Sequence, residues 1–404
     1  MAHPTTRAHR PWAVIWVASL TAGLLTSGMQ GIVPAIPAIR DHFGLDNFQI
    51  GLITGVYLLP GLFSAFAAGL LVERIGERKV VVGGLAVFGL GGGLLLVQND
   101  LATLLAVRFV QGIVFGALLS ITVGIIGSVA PSGPAAHRGQ SRRIVAMAAS
   151  EALFPVAGGF LLAVAWYAPF GLQMLTLPLA VAAWFVLPDV ARKKKGGAAG
   201  EPEAESIWRA PAIVGVQILA AARFIFKFSV LTYTPVLAVD TVGMSAALLG
   251  WLVGVSSALA AITALLSERL ASRWRSSEMI LACMLLIAVS LVLIGAADAV
   301  WMVALGLLIY GAQDGVYGVA HNVLANEMAP SGSKMAYIGL TGTVRNVGKF
   351  VAPLLFGAAT LVSSIPATFF GFACLGVAGA GVAHHVARRQ QVVERTASTA
   401  EGDG

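Results

Sequence analysis

Apolar runs of about twenty residues follow one another from the first residues of this sequence to nearly the last. At a rise of ~1.5 Å per residue, a helix of that length crosses a hydrocarbon core of ~30 Å. Charged residues make up 11% of the chain and hydrophobic ones 57%, whereas soluble domains carry roughly a quarter charged residues. The runs divide the chain into twelve predicted spans, at 12–35, 48–72, 80–97, 101–125, 143–165, 169–188, 210–237, 246–267, 279–297, 299–325, 335–361 and 365–386. An all-α polytopic protein is expected, with the lipid bilayer as its surroundings. The first run lasts to about Ile36 without an A-x-A-like cleavage site, so it reads as a retained helix and not as a signal peptide.

The formal charge of +7 would suggest nucleic acid in a soluble protein, but here it sits in short loops, so no nucleic-acid partner is expected. One side of the membrane collects Arg7 and Arg10; Arg74, Arg78 and Lys79; Arg138, Arg142 and Arg143; Arg192 to Lys195 and Arg209; Arg269, Arg273 and Arg275; Lys334; and Arg388, Arg389 and Arg395. Only Arg40 falls on the other side. The positive-inside rule then puts both termini in the cytoplasm of a multi-pass inner (plasma) membrane protein. Cys283 and Cys374 lie inside apolar runs and are expected to be small buried hydrophobes; neither disulfide, metal site nor cofactor is predicted.

The stretch Arg192 to Arg209 is the one long polar interruption. The expected organisation is a cytoplasmic tail at 1–11, a six-helix half at 12–190, a flexible linker at 191–209, a second six-helix half at 210–387 and a tail at 388–404, both tails short, polar and disordered. The halves repeat each other. Gly69, Glu73, Arg74, Gly76 and Arg78 after span 2 align with Ala264, Glu268, Arg269, Ala271 and Arg273 after span 8, at an offset of 195. Ala130-Pro131-Ser132-Gly133 recurs as Ala329-Pro330-Ser331-Gly332, and Pro155 with Gly159 recurs as Pro353 with Gly357. Glycines four apart, at Gly89 and Gly93, Gly112 and Gly116, Gly250 and Gly254, and Gly311 and Gly315, would let helices pack closely.

Gly69, Glu73, Arg74, Gly76, Arg78 and Lys79 resemble the G-x-x-x-D-R-x-G-x-R-R loop signature of the major facilitator superfamily, with Glu in place of Asp. Arg108 with Gln111 and Gly112 resembles that family's R-x-x-Q-G element. Pro155, Gly158 and Gly159 resemble the tail of its P-x-x-G-G antiporter motif, although Ser150 and Phe154 stand where glycines are usual. The resemblance covers residues 12 to 386 and is to the 12-helix drug:proton antiporter branch. It implies two pseudo-symmetric six-helix halves, a gating role for the loop after span 2, in which Glu73 reaches the positive end of a neighbouring helix, and a central cavity lined by all spans except 3, 6, 9 and 12.

A charge at bilayer depth costs at least ~2.5 kcal/mol even on the mildest insertion scale, so each one marks a cavity, a pair or a pathway. The spans hold seven: Arg108, Glu151, Arg223, Lys227, Asp314, Arg345 and Lys349, none in spans 3, 6, 9 or 12. Arg223 with Lys227 and Arg345 with Lys349 are i,i+4 pairs that share a helix face. Tyr310, Asp314, Tyr317 and His321 form a further stripe. The substrate-cavity candidates are therefore Arg108, Gln111, Arg223, Lys227, Tyr310, Tyr317, His321, Arg345 and Lys349, and the proton-coupling candidates are Glu151 and Asp314. The structural alternatives are an Asp314 pair with Arg345 or Lys349, and an Arg108 spent on backbone carbonyls.

Five embedded bases against two acids favour an anionic substrate. The leading expectation is alternating access by two halves, exporting a small organic or drug-like molecule in exchange for protons. Proton-coupled uptake of an anion is the first alternative. A membrane enzyme using Asp314 and His321, or a receptor, is the remote one, because no nucleophile or catalytic cluster accompanies them. No nucleotide-binding loop occurs, so direct ATP drive is not expected. A monomer is the default.

Overall fold

The computed structural model describes residues 11–98, 100–130, 133–188, 211–329 and 334–402. The tail expected at 1–11, apart from Pro11, the linker at 191–209 and most of the paired Ala-Pro-Ser-Gly loops lie outside the described residues. All described secondary structure is helical. Helices stand at each of the twelve expected positions: α1 (Pro11–Phe43), α2 (Asn47–Leu58 and Ser64–Ile75), α3 (Glu77–Leu94), α4 (Leu101–Val129), α5 (Gly133–Leu161), α6 (Ala168–Val186), α7 (Pro211–Val242), α8 (Ala246–Ala271), α9 (Ser276–Gly295), α10 (Val300–Glu327), α11 (Lys334–Thr360) and α12 (Ile365–Gly402). Nine of these, among the described residues, are long and apolar enough to cross a membrane, and α2, α3 and α11 are the others. The reasons are local. Pro60 and Gly61 break α2 with a 3-10 turn at Leu59–Leu62; α3 opens on Glu77, Arg78 and Lys79; and α11 carries Lys334, Arg345 and Lys349.

Helix starts follow capping chemistry. Asp100 accepts a hydrogen bond from the Thr103 amide at 2.8 Å and Ser245 from the Leu248 amide at 3.3 Å, so each supplies the acceptor that a first-turn N–H lacks. Gly76, at φ +90°, turns the chain between α2 and α3 in the left-handed region that a side chain disfavours. At the other end, α12 runs on to Gly402, so residues 388–402 are helical where an irregular tail is expected. After Gly381 no glycine or proline interrupts the run to Ala400, and Ala, Arg, Gln and Glu are good helix formers. Cys283 is buried as expected, but Cys374 is exposed; hydrocarbon and protein interior are equally apolar, so hydrophobic sequence alone does not separate a lipid-facing position from a core one.

The chain divides into two compact units. One holds the described residues up to Phe43 and from Val56 to 188; the other holds Gly44–Gly55 and the described residues from 211 onward. Residues 44–55, the start of α2, thus group with the later helices. Gly51 and the Tyr233 hydroxyl account for that: a Cβ on Gly51 would overlap the Pro353 carbonyl, and the Tyr233 hydroxyl lies 2.7 Å from the Pro353 carbonyl and 3.0 Å from that of Asn47.

Within each unit glycine pairs set close helix crossings. A Cβ on Gly112 would overlap the Tyr57 carbonyl and one on Gly116 the Ser64 hydroxyl, which brings α4 against α2. Gly311 and Gly315 do the same for α10 against α8, facing the carbonyls of Ser256 and Ala260. The two crossings stand at one offset, 199 residues, so the repeat seen in the loops is also a repeat of backbone contacts. Gly158 likewise packs on the backbone of Gly31, giving the span 5 motif a packing role between α5 and α1.

Gly112→Val and Gly311→Val are therefore expected to lower the unfolding temperature of the detergent-purified protein, overpacking costing ~1–3 kcal/mol. Gly127→Ala, with open space at its Cβ, is expected to be neutral or slightly stabilising. Equal melting of all three proteins would show that these crossings are loosely packed.

Candidate functional site

The helix α7 places Arg223 and Lys227 one turn apart on one side, and both reach the same carboxylate on α10. Arg223 Nε donates to Asp314 Oδ1 at 2.9 Å, and Lys227 Nζ lies 3.2 Å from Asp314 Oδ2. The Asp314 side chain is only 7% exposed, against 19% and 20% for the two bases. Arg223 Nη2 also donates to the Asp314 backbone carbonyl at 3.1 Å. Gly318 makes room for that bond, since a Cβ there would lie 2.8 Å from Nη2. The glycine is part of the site although nothing in its sequence context singles it out.

A second group continues along α10 toward α11. Tyr317 donates its hydroxyl to the Leu219 carbonyl at 3.0 Å, and its ring stacks over His321 at 6.2 Å between centroids. His321 Nε2 lies 3.0 Å from the Val216 carbonyl, so a ring protonated at Nε2 leaves Nδ1 to accept from Arg345 Nη2 at 2.9 Å. Arg345 Nη2 also donates to Asn322 Oδ1 at 2.6 Å. Lys349 donates to Asn346 Oδ1 at 3.0 Å and lies 4.9 Å from the centre of the Phe224 ring, which Arg223 also approaches. The expected structural pair of Asp314 with Arg345 or Lys349 is thus replaced by pairs with Arg223 and Lys227, because the α7 bases are the ones that meet α10 at the depth of Asp314. Tyr310 is buried one turn before Asp314, with no hydrogen-bond partner for its hydroxyl among the described residues.

The remaining candidates belong to the other unit. Arg108 is fully buried; it donates through Nη1 to the Gly28 carbonyl and lies 4.0 Å from the centre of the Tyr57 ring. Its Nε and Nη2 have no partner among the described residues. Gln111 donates to the Phe88 carbonyl at 3.0 Å and to Gln173 Oε1 at 2.5 Å. Arg108 and Gln111 thus serve a polar interior of α1, α2, α3, α4 and α6, close to the backbone-carbonyl alternative. Tyr57, Gln173 and Gly28, which sequence reasoning passed over, complete it. Glu151 lies partly exposed on α5. It precedes Pro155 by four residues as Lys349 precedes Pro353, so equivalent positions of the repeat carry opposite charges.

In the loop signature, Glu73, Arg74 and Lys79 are exposed and Gly76 and Glu77 are buried, Glu77 at 7%. The buried acid of this loop is therefore the first residue of α3, one step past the turn at Gly76. The Arg78 guanidinium lies 4.8 Å from the centre of the Trp184 ring, and Gly69 has open space where a Cβ would be.

The ion-pair geometry makes a stability prediction. Asp314→Asn leaves Arg223 and Lys227 without their counter-charge, and breaking a buried pair costs ~3–5 kcal/mol, less for bases a fifth exposed. The double variant Arg223→Gln with Asp314→Asn is expected to melt above Asp314→Asn alone. Additive losses in the double variant would mean that the two side chains are not energetically coupled.

The sequence matches the profile of the Major Facilitator Superfamily over residues 16–353 and again over 219–401. It is 27% identical over 250 residues to the multidrug efflux protein YfmO of Bacillus subtilis (strain 168), covering 59% of each protein. It is 28% identical over 190 residues to the 4-hydroxybenzoate transporter PcaK of Pseudomonas aeruginosa, covering 45% of this chain and 41% of that one. The matches thus span 38% to 59% of the length of these and a further curated relative. Among solved structures, the nucleoside transporter NupG has the same fold, with a TM-score of 0.80 at 9% identity, covering 93% of this chain and 100% of that one. All three are named as proteins of transport or efflux, and none as an enzyme. A multi-pass membrane protein whose described secondary structure is all helical, with a matching profile over most of its length, the chain belongs to the Major Facilitator Superfamily.

Proposed function

We propose that the chain is a secondary active transporter that works by alternating access of its two halves and exports a small organic anion in exchange for protons. The observation that carries this reading is the charge imbalance around α7, α10 and α11. Within the apolar spans expected at 210–237, 299–325 and 335–361, four bases, Arg223, Lys227, Arg345 and Lys349, accompany one acid, Asp314, which already bridges two of them. Arg345 spends its hydrogen bonds on His321 and Asn322, neither of which is an acid. A guanidinium that meets neutral partners at this depth is costly, and a transient anionic ligand at Arg345 is the simplest compensation. A guanidinium also offers a carboxylate two parallel donors, which suits an organic acid better than a neutral drug.

Glu151 is the proposed proton carrier. Asp314 is held between two cations, whereas Glu151 lies partly exposed on a helix that contains Pro155 and that Gly158 seats on α1. The names of the relatives support the class: efflux for YfmO, and an aromatic acid for PcaK. The second of these equally supports proton-coupled uptake of an anion. Gly69, Glu73, Arg74, Gly76, Arg78 and Lys79 are proposed as the gating loop, with both termini in the cytoplasm of an inner membrane and the monomer as the working unit.

The test is the internal pH of proteoliposomes carrying the full chain, with an imposed proton gradient and a panel of organic anions and lipophilic drugs. Anion-dependent proton movement that disappears in Glu151→Gln is the expected result, with the direction of anion flux separating antiport from symport. Movement that survives this substitution would transfer the coupling role to Asp314. Tracer flux with no proton signal would make the chain a uniporter or the carrier of another ion.

A further inference from the structure

The surface of the first unit holds a groove of about 600 Å³ between α1 and α5 that has no part in the sites above. Its walls are apolar: Leu20 and Leu24 of α1 face Val145, Ala149 and Leu153 of α5. These side chains are not packed away, with Val145 65% and Leu153 66% exposed. The floor is closed, because a Cβ on Gly23 would lie 2.8 Å from the Ser150 hydroxyl and 2.9 Å from the Ala146 carbonyl, so α1 and α5 touch there.

One end of the groove is different. Arg138, Ser141 and Arg142 line it near the start of α5, and the Arg142 guanidinium lies 5.5 Å from the centre of the Trp16 ring on α1. No acidic side chain lines the groove among the described residues. Arg138 and Arg142 belong to the basic set that marks the cytoplasmic side, and a tryptophan beside them fits the membrane–water interface. From Arg142 to Leu153, α5 climbs ~16 Å at ~1.5 Å per residue, about half of a ~30 Å core. The groove is therefore one leaflet deep, apolar along its length and doubly cationic at the headgroup level.

We propose that this groove seats one anionic phospholipid of the cytoplasmic leaflet, with its phosphate at Arg138, Ser141 and Arg142 and an acyl chain along Leu20, Val145 and Leu153. Two guanidiniums with no carboxylate beside them match a net negative headgroup and offer nothing to the amine of a zwitterionic one. Basic pockets between membrane helices on the cytoplasmic side recognise anionic lipids by this chemistry. The acyl chain adds apolar contact that surface attraction alone lacks.

The test is native mass spectrometry of the full chain released from detergent with added phosphatidylglycerol or phosphatidylcholine at equal concentration. The wild type is expected to retain one phosphatidylglycerol in preference to phosphatidylcholine. The double variant Arg138→Gln, Arg142→Gln is expected to lose that preference by roughly tenfold or more. Ala149→Trp, which fills the groove and leaves both arginines in place, is expected to lose the bound lipid as well. Equal retention of the two lipids by the wild type would overturn the proposal. So would phosphatidylglycerol binding that survives Ala149→Trp, which would reduce the arginines to a diffuse attraction, or a wild-type dimer that forms without lipid and closes the face. Melting curves of the variants without lipid, expected to match the wild type, separate lost binding from lost folding.

Discussion

A charge withdrawn from water has to find its counter-charge or its hydrogen bonds close by, and Asp314 finds both. Two cations from one face of α7 meet its two oxygens, while its own backbone carbonyl takes a third bond from Arg223. The pairing fixes the rotation of α7 against α10, because only a helix turned to present Arg223 and Lys227 together can satisfy one carboxylate twice. Gly318 belongs to the same solution, since it leaves the space through which the guanidinium reaches the carbonyl. Arg108 answers the same constraint differently, through the Gly28 carbonyl and the face of Tyr57, with no acid involved.

Against this chemistry the backbone repeats itself. Gly112 and Gly116 bring α4 onto α2 as Gly311 and Gly315 bring α10 onto α8, at one offset. The side chains between those glycines do not repeat. At the same offset Phe115 stands where the later half has Asp314, and Leu307 stands where the earlier half has Arg108. The embedded positive excess therefore lies in the later helices, four bases to one acid, while Arg108 and Glu151 balance formally in the earlier ones. Two halves built alike and charged differently are what the proposed exchange needs: one half rich in bases for the anion, and another in which Glu151 is the proposed proton carrier.

The helices, their repeat and the family signatures were legible in sequence because each depends on short-range pattern: run length, glycine spacing, the acid and bases around Gly76. The i,i+4 rule also placed Arg223 beside Lys227. What the sequence did not disclose was which helix meets which. The partner of Asp314 is a question of contact across helices, and proximity in depth alone allowed Arg345 and Lys349 as readily as the α7 pair. Glu77 escaped because the φ of Gly76 decides which neighbouring acid turns inward. Gly318, Asn322, Phe224 and Tyr57 escaped because a glycine's empty space or an aromatic face has meaning only once the group opposite is known. The exposure of Cys374 and the groove beside Trp16 were hidden for a related reason, since lipid-facing and buried residues are drawn from the same apolar set.

The anion reading stands on the surplus of embedded bases, and one measurement bears on it without reference to energy coupling: counterflow of labelled organic carboxylates and of their matching uncharged amides into proteoliposomes, with no imposed gradient. Saturable exchange of one or more carboxylates, with the corresponding amides excluded, is the result that four bases against one acid predicts. Exchange of amides as readily as of their carboxylates, or of no carboxylate at all, would mean that Arg223, Lys227, Arg345 and Lys349 serve the architecture of the later half and not the charge of its substrate.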